Sequence, residues 1–335
     1  MSKKSIGWLC LLIIIAAAIV VHTDRWNYDT MKGTQDIYYL WQDGQRLLRG
    51  ENPYARILLG NMNENHKYPT YFPVFYLLSY FTQLIGLKDY SSWIAVWRYI
   101  FLIFNLAIGS LLFYAFGRRQ LWLLASFAAC FWLFNRWTIY VTKVAQIDFI
   151  PICLLVLSLL IFYQHKWASL LLFSLSLGVK QIAIFMVPLY LIWVWQSTSK
   201  DQLKTLLLAA AAIASIPLLT SLPFIIWNAE SWIKSILFSA SRVAENPFNA
   251  PSLFKETAGL RFLPTLVLMI LIYVSACKRQ IGLYTSALLT LFVFINFNAI
   301  LFTQYFCWVM PFVPLSLADF LYPHARDQTT SSDAL

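Results

Sequence analysis

One acidic side chain stands where it could serve as a catalytic base. Asp36 lies a short way past the first apolar segment, at the start of the run Asp36-Ile37-Tyr38-Tyr39. A carboxylate held just outside a membrane helix can take a proton from a substrate hydroxyl. The position also suits a structural role, because the free backbone N–H groups of a helix's first turn stabilise a carboxylate. The pattern alone favours the structural role.

Three basic side chains stand in or beside the apolar segments. Lys67 precedes a Tyr/Pro-rich run that begins at Tyr68, and its prolines would hold the ammonium at the membrane interface. The same lysine could equally be snorkelling from a surface helix. Lys180 interrupts an apolar run, where an ammonium needs an anionic partner. Arg136 adds positive charge at the predicted external edge of the membrane.

Other polar side chains stand at the predicted mouths of spans. Gln146 and Asp148 precede one apolar segment, and the pair Gln304-Tyr305 lies early in the last. An ionisable group at a span mouth is a site candidate. For Asp148, a structural pair with Lys180 or Lys143 is the simpler interpretation.

The composition indicates a polytopic helical membrane protein. Apolar residues make up 60% of the chain, charged residues 12%, and mean hydropathy is +0.64. Soluble proteins average about 25% charged residues. The net charge of +10 comes with no nucleic-acid or nucleotide motif. The five cysteines form no CxxC pattern or Cys/His cluster, so we expect no metal site and no disulfide framework.

The apolar runs predict an all-α bundle of about ten spans with both termini in the cytoplasm. The whole of 1–325 reads as one domain. It has a first external loop at 22–91, a second at 228–260 and a disordered cytoplasmic tail at 326–335. The predicted spans are 6–22, 92–116, 120–136, 145–163, 166–179, 181–196, 204–227, 261–276, 281–300 and 302–321.

The pattern in two apolar stretches does not predict simple membrane spans. Residues 68–87 carry two prolines near their start, which predicts an interfacial or re-entrant helix. Residues 167–195 are interrupted around Lys180. A single helix would put this ammonium at mid-membrane, so we predict a hairpin of two short spans with Lys180 close to the headgroups.

The first external loop predicts an interfacial helix that carries Asp36. Thr34 is its expected N-cap, the helix ends near Arg49, and Gly50 stops it. Its apolar residues share one face, from which Asp43 is expected to project away. Asp36 and Asp43 would lie about 10 Å apart along the axis, so any catalysis would use one carboxylate alone.

These features together resemble glycosyltransferase family 87, polyprenyl-phosphate-mannose-type transferases of the GT-C superfold. The similarity runs over most of the chain in short motifs. They are Asp36-Ile37-Tyr38-Tyr39, Leu48 to Gly50 with Asn52-Pro53-Tyr54, Tyr68-Pro69 with Pro73, Gln146-Ile147-Asp148, Lys180 and Gln304-Tyr305. The family's double proline after the tyrosine is Tyr68-Pro69-Thr70 here.

The resemblance implies a membrane hexosyltransferase that moves a mannose-like sugar from a polyprenyl phosphate to a lipid or glycan acceptor, with inversion. Asp36 would be the general base. Lys67, Lys180 and Arg136 would hold the donor phosphate. The implied substrate-binding residues are Tyr39, Tyr68, Gln146, Asp148, Gln304 and Tyr305. No cofactor or metal is implied, and the site would face outward from a bacterial plasma membrane.

Two other classes of function stay open. A lipid or sugar transporter or flippase would explain Lys180 and Asp148 as a substrate path, but it predicts internal repeats that the sequence does not show. A non-catalytic assembly partner would tolerate replacement of Asp36.

Overall fold

The computed structural model describes residues 2–31, 35–60, 67–241, 263–297 and 302–321. Within these ranges the chain is helical and has no strand, which confirms the all-α prediction. The α-helices are α1 Lys3–Thr23, α2 Asp36–Leu48, α3 Val74–Leu84, α4 Tyr90–Gly117, α5 Trp122–Leu133, α6 Arg136–Lys143, α7 Phe149–Ile161, α8 Lys166–Val179, α9 Val187–Gln196, α10 Gln202–Ser241, α11 Leu263–Cys277, α12 Leu283–Phe297, α13 Phe306–Val309 and α14 Phe312–Leu321.

Three helical stretches in the described ranges are long and apolar enough to cross a membrane: Lys4–Asn27, Tyr90–Gly117 and Gln202–Phe238. The other apolar helices have 10–17 residues. A span needs about 20 residues, so the number of spans, about ten, stays a prediction. The core between the helices is rich in large aromatics, with Trp93, Trp132 and Trp308 fully buried.

The helix predicted for the first loop is α2, which begins at Asp36. Its N-cap is Gln35, so the expectation that Thr34 caps it was wrong; Thr34 itself lies outside the described residues. Gly50 follows the helix with φ +71°, a left-handed conformation that glycine adopts without steric cost. Gly50 therefore ends the helix as predicted.

The second short helix of this loop is α3. It has 11 residues, so it is roughly 17 Å long and shorter than the ~30 Å hydrocarbon layer. This length is consistent with the interfacial or re-entrant helix predicted for 68–87.

The apolar stretch around Lys180 is broken as the sequence predicts. Helix α8 ends at Val179, Lys180 has an extended backbone (φ −157°, ψ 121°), and a 3₁₀ turn Gln181–Met186 leads into α9. Because α8 ends before Lys180 and α9 begins only after the 3₁₀ turn, Lys180 is not part of a long continuous helix.

Helix α10 departs from the predicted loop boundaries. Its helical geometry is interrupted at Asn228, one residue past the predicted end of the span at 227. Residues 229–241 continue as helix, so the segment predicted as the second external loop, 228–260, begins with helical residues, and its external placement stays a prediction. The remainder of that segment and the tail 326–335 lie outside the described residues.

Candidate active site

A cleft of about 600 Å³, including its open mouth, lies beside the first turn of α2. Charged side chains from the start of α2 and from the segment that follows residue 66 line this cleft, together with several tyrosines. The lining residues are Asp36, Tyr39, Leu40, Asp43, Lys67, Tyr68, Thr70, Tyr71, Tyr76, Phe238, Phe302 and Tyr305.

The mouth of this cleft carries an ion pair. The Nζ of Lys67 donates to Oδ1 of Asp36 at 2.7 Å, and both side chains are 21% exposed. Gln304 approaches the other carboxylate oxygen, with Nε2 at 3.4 Å from Oδ2. The three side chains come from distant parts of the sequence, so the tertiary fold assembles the site.

Asp36 is placed by the docking of α2 on α3. Gly44 lets the helices approach closely, since a Cβ there would meet the side chains of Ser79 and Gln83. The Ser79 hydroxyl donates to the Leu40 carbonyl at 3.0 Å, and Gln83 Nε2 donates to the Trp41 carbonyl at 3.0 Å. Two hydrogen bonds and a close helix contact therefore fix α2.

Lys67 is held by its backbone as well as by its ammonium. Its φ is +54°, a conformation that side-chain-bearing residues rarely adopt. Arg56 Nη1 donates to its carbonyl at 3.1 Å. Further along, Tyr54 donates to the Tyr71 carbonyl at 2.7 Å, and Gln181 donates to the Thr70 carbonyl. Three hydrogen bonds to backbone carbonyls therefore hold the segment 67–71 in place.

Asp43 is buried, which the sequence analysis did not anticipate. It was expected to project away from the apolar face, yet only 1% of it is exposed. Its Oδ1 lies 2.7 Å from Nη1 of Arg46 and 3.8 Å from Nη1 of Arg56. Burial raises the pKa of Asp43 to about 6, and the two guanidinium groups limit that rise. It sits in the cleft wall as a second carboxyl group.

A buried ion pair lies behind the cleft. The Lys180 ammonium contacts both carboxylate oxygens of Asp148 at 2.8 and 2.9 Å, and neither side chain is exposed. The indole N–H of Trp308 also donates to Asp148, at 2.6 Å. The structural pairing of Asp148 with Lys180 is therefore confirmed, and the closeness of Lys180 to the headgroups stays a prediction.

Two tyrosines separate this pair from the cleft. The Lys180 Nζ lies 5.1 Å from the ring centre of Tyr71 and 6.0 Å from that of Tyr305. Both rings line the cleft, whereas Lys180 and Asp148 do not. A cation near an aromatic face is favourable. The ion pair therefore stabilises the positions of the Tyr71 and Tyr305 rings from the side away from the cleft.

The structure brings together most of the predicted site residues but not all. Tyr39, Tyr68 and Tyr305 line the cleft with Asp36 and Lys67. Gln146 is buried and is not among the lining residues. Arg136 is exposed on α6, where its guanidinium lies 4.4 Å from the ring centre of Trp137.

The residues that the sequence analysis missed are Asp43, Thr70, Tyr71, Tyr76 and the two phenylalanines of the wall. Tyr71 falls inside the Tyr/Pro-rich run that was singled out, so its neighbourhood carried a signal. In the described part of the chain, no three His, Cys, Asp or Glu side chains come together as a metal site.

Comparison with known families gives two matches. Residues 39–248 match the family described as "ALG3 protein", and residues 243–326 match the family described as "Mannosyltransferase (PIG-M)". Both are families of membrane mannosyltransferases of the GT-C type. No curated protein matches the chain, and no solved structure matches it.

The two matches together cover the chain from the first turn of α2 to beyond the last described helix. The first begins three residues after Asp36, and the second includes Gln304 and Tyr305. The narrower resemblance to glycosyltransferase family 87 stays a prediction. Because both matched families belong to the eukaryotic endoplasmic reticulum, the bacterial plasma membrane and the outward-facing site also stay predictions.

Proposed function

Since this chain belongs to the ALG3 protein family, we propose that it transfers mannose from a polyprenyl phosphate carrier to a lipid or glycan acceptor at a membrane surface. The observation that carries this proposal is the Asp36–Lys67 pair at the mouth of the cleft. It joins a carboxylate that can accept a proton to a cation that can hold a phosphate. Both lie in the loop that follows the first long apolar helix.

In the proposed reaction, Asp36 accepts the proton of the acceptor hydroxyl. The hydroxyl oxygen attacks the anomeric carbon from the face opposite the carrier, and the bond from that carbon to the phosphate oxygen breaks. The sugar changes its anomeric configuration, and polyprenyl phosphate leaves with both electrons of the broken bond. A positioned base contributes about 10²–10⁴-fold to such a step.

Lys67 stabilises the charge that develops on the leaving phosphate. In the structure its ammonium contacts Asp36 at 2.7 Å. A bound donor phosphate would compete for this ammonium and leave the carboxylate free to accept the acceptor's hydrogen bond. The resting ion pair would thereby open when the donor binds.

The other predicted residues take different roles in this proposal. Tyr39, Tyr68 and Tyr305 line the cleft and offer ring faces and hydroxyl groups to a sugar. Gln304 holds the second oxygen of Asp36. Lys180 could reach a donor phosphate only if Asp148 released it, so we assign that pair to positioning Tyr71 and Tyr305. Arg136 and Gln146 stay predictions for substrate contact.

A transfer assay tests the proposal directly. The purified full chain in lipid nanodiscs is given radiolabelled polyprenyl-phosphate mannose, with a membrane lipid extract as the acceptor. We expect label to move from the carrier to a new lipid or glycan product. A parallel sample receives labelled GDP-mannose, which should give no product.

Three results would contradict the proposal. Product formation from GDP-mannose alone would mean a nucleotide-sugar donor. Movement of labelled carrier across a vesicle bilayer with no new product would indicate the flippase alternative. The same product yield from Asp36→Asn would indicate that catalysis does not use this carboxylate.

A further inference from the structure

A second cavity lies far from the cleft, where the N-terminal end of α1 meets the C-terminal end of α4 and the start of α5. It has about 850 Å³ including its open mouth. We call it the crevice. Its lining residues are Lys4, Trp8, Phe113, Tyr114, Gly117, Arg118, Gln120 and Trp122.

The crevice and the cleft lie at opposite ends of the long helices. Helix α1 starts at the crevice and ends next to the first loop, while α4 starts at that loop and ends at the crevice. Both belong to stretches long enough to cross a membrane. The crevice therefore opens at the membrane surface away from the cleft.

Two cations stand at the mouth of the crevice. Lys4 and Arg118 are both exposed, and neither has a carboxylate within ion-pair distance in the described part of the chain. Arg118 lies 5.9 Å from the ring centre of Tyr114. The first-turn N–H groups of α1 add to the positive potential near Lys4. The mouth thus suits an anion.

The walls of the crevice are aromatic. Trp122 packs where Gly7 of α1 leaves no side chain, since a Cβ there would overlap the indole. Trp8 and Phe113 complete this wall, with ring centres 5.9 Å apart. Rings of tryptophan and tyrosine favour the interface between lipid headgroups and acyl chains.

Next to the crevice, α1 and α5 carry exposed apolar side chains. Leu12 of α1 is 66% exposed, and Leu123 and Phe127 of α5 are 88% and 52% exposed. These surfaces face away from the protein core and would line the path of an acyl chain. A free phosphate would use the cations but leave these apolar surfaces uncovered.

We propose that the crevice binds an anionic phospholipid, whose headgroup lies between Lys4 and Arg118 and whose acyl chains follow the exposed apolar faces of α1 and α5. This lipid is neither donor nor acceptor of the proposed reaction, because the crevice is at the opposite membrane surface from Asp36. The proposal does not depend on the sugar-transfer assignment.

Native mass spectrometry of the full chain tests this proposal. The protein is released from nanodiscs that contain equal amounts of phosphatidylglycerol and phosphatidylcholine, and the retained lipids are counted. We expect retained phosphatidylglycerol to exceed retained phosphatidylcholine. Each basic side chain near an anionic headgroup contributes about fivefold to binding. Lys4→Gln and Arg118→Gln should therefore each lower the preference about fivefold, and the double variant more.

The matched control is Lys278→Gln with Arg279→Gln. It removes the same charge from the turn between α11 and α12, outside the crevice. With a cytoplasmic N-terminus, the predicted spans place this turn on the same membrane side as the crevice. It should keep the preference of the unchanged chain. Thermal unfolding in lipid-free detergent checks that all variants fold, which the exposure of Lys4 and Arg118 favours.

Several outcomes would overturn the proposal. Equal retention of the two lipids by the unchanged chain would remove the anion preference. An equal loss in the crevice variant and the control would mean a general charge effect. Displacement of the retained lipid by millimolar glycerol phosphate would mean that a soluble anion, and not a lipid, is the ligand.

Discussion

Replacement of Asp36 by Asn separates a catalytic base from a structural charge. The Asp36 carboxylate accepts from Lys67 at 2.7 Å, with about a fifth of each side chain exposed. Asn keeps the size of the side chain but cannot accept a proton. We expect turnover to fall by about a hundredfold or more, the usual scale for losing a general base. That corresponds to about 2.7 kcal/mol in the barrier.

The same substitution should not weaken donor binding. In the unchanged chain a donor phosphate must draw the Lys67 ammonium away from Asp36. An ion pair at this exposure is worth up to about 1 kcal/mol. Without the carboxylate, Asp36 no longer competes with the phosphate for the Lys67 ammonium, and donor affinity should stay equal or rise by up to about fivefold. Turnover and donor affinity would thus move independently or in opposite directions.

The assay compares initial rates of mannose transfer with equilibrium binding of the polyprenyl-phosphate donor in nanodiscs. Glu51→Gln is the matched control. Glu51 pairs with Arg49 at 2.8 Å on the same loop, and both side chains are about half exposed. The control removes an equal charge from a pair outside the cleft. It should change neither turnover nor donor binding.

Two results would refute this reasoning. Turnover by Asp36→Asn close to that of the unchanged chain would exclude Asp36 as the base. A joint loss of turnover, donor binding and thermal stability would mean that the carboxylate only holds α2 and Lys67 in place. Lys67→Gln completes the test, because loss of a charge-assisted contact should weaken donor binding by about 1.5–3 kcal/mol.

The remaining predictions concern stability and the placement of α2. Lys180→Met leaves buried Asp148 without its cation and should lower the free energy of unfolding by about 3–5 kcal/mol, whereas adding Asp148→Leu should restore most of it; equal thermal unfolding of the single variant and the unchanged chain would contradict this. Because burial raises the pKa of Asp43 to about 6, its contribution to stability is complete below about pH 4 and is lost as pH rises through 6, by up to about 3 kcal/mol. Thermal unfolding between pH 4 and 7 should show this fall and should show it reduced in Asp43→Asn. Gly44→Ala would push α2 from α3, because its Cβ would lie 2.5 Å from the Ser79 hydroxyl; we expect about 1–3 kcal/mol of destabilisation and slower transfer, and unchanged values of both would exclude a tight helix contact.

Secondary structure was largely predictable because apolar runs and helix-stopping residues are local signals. The expected segment 166–179 coincides with α8, and the break at Lys180 was expected from the cost of burying an ammonium in a continuous span. Helix α2 ends before Gly50 because glycine adopts the left-handed conformation that terminates it. The N-cap was missed by one residue, since capping depends on the backbone angles of Gln35 and not on residue type alone.

Residue types alone could not show how the charges pair. Asp43 looked solvent-facing because its helix presents an apolar stripe, yet the fold places Arg56 from a later turn beside it and buries the carboxyl group. The sequence left open whether Asp148 pairs with Lys180 or with Lys143, and the fold pairs it with Lys180 in the interior. A buried charge is costly unless an oppositely charged group pairs with it. Which group that is depends on how the helices pack.

The sequence by itself determined the class of this protein, its helical segments and the loop that carries Asp36, because these depend on composition and on local periodicity. It also picked out Asp36, Lys67 and Gln304 as candidates. Only the tertiary structure decided that these three side chains meet at one cleft and that Lys180 stays behind it. The physical reason is that residues more than 30 positions apart come into contact through helix packing, and no local pattern in the chain encodes that contact.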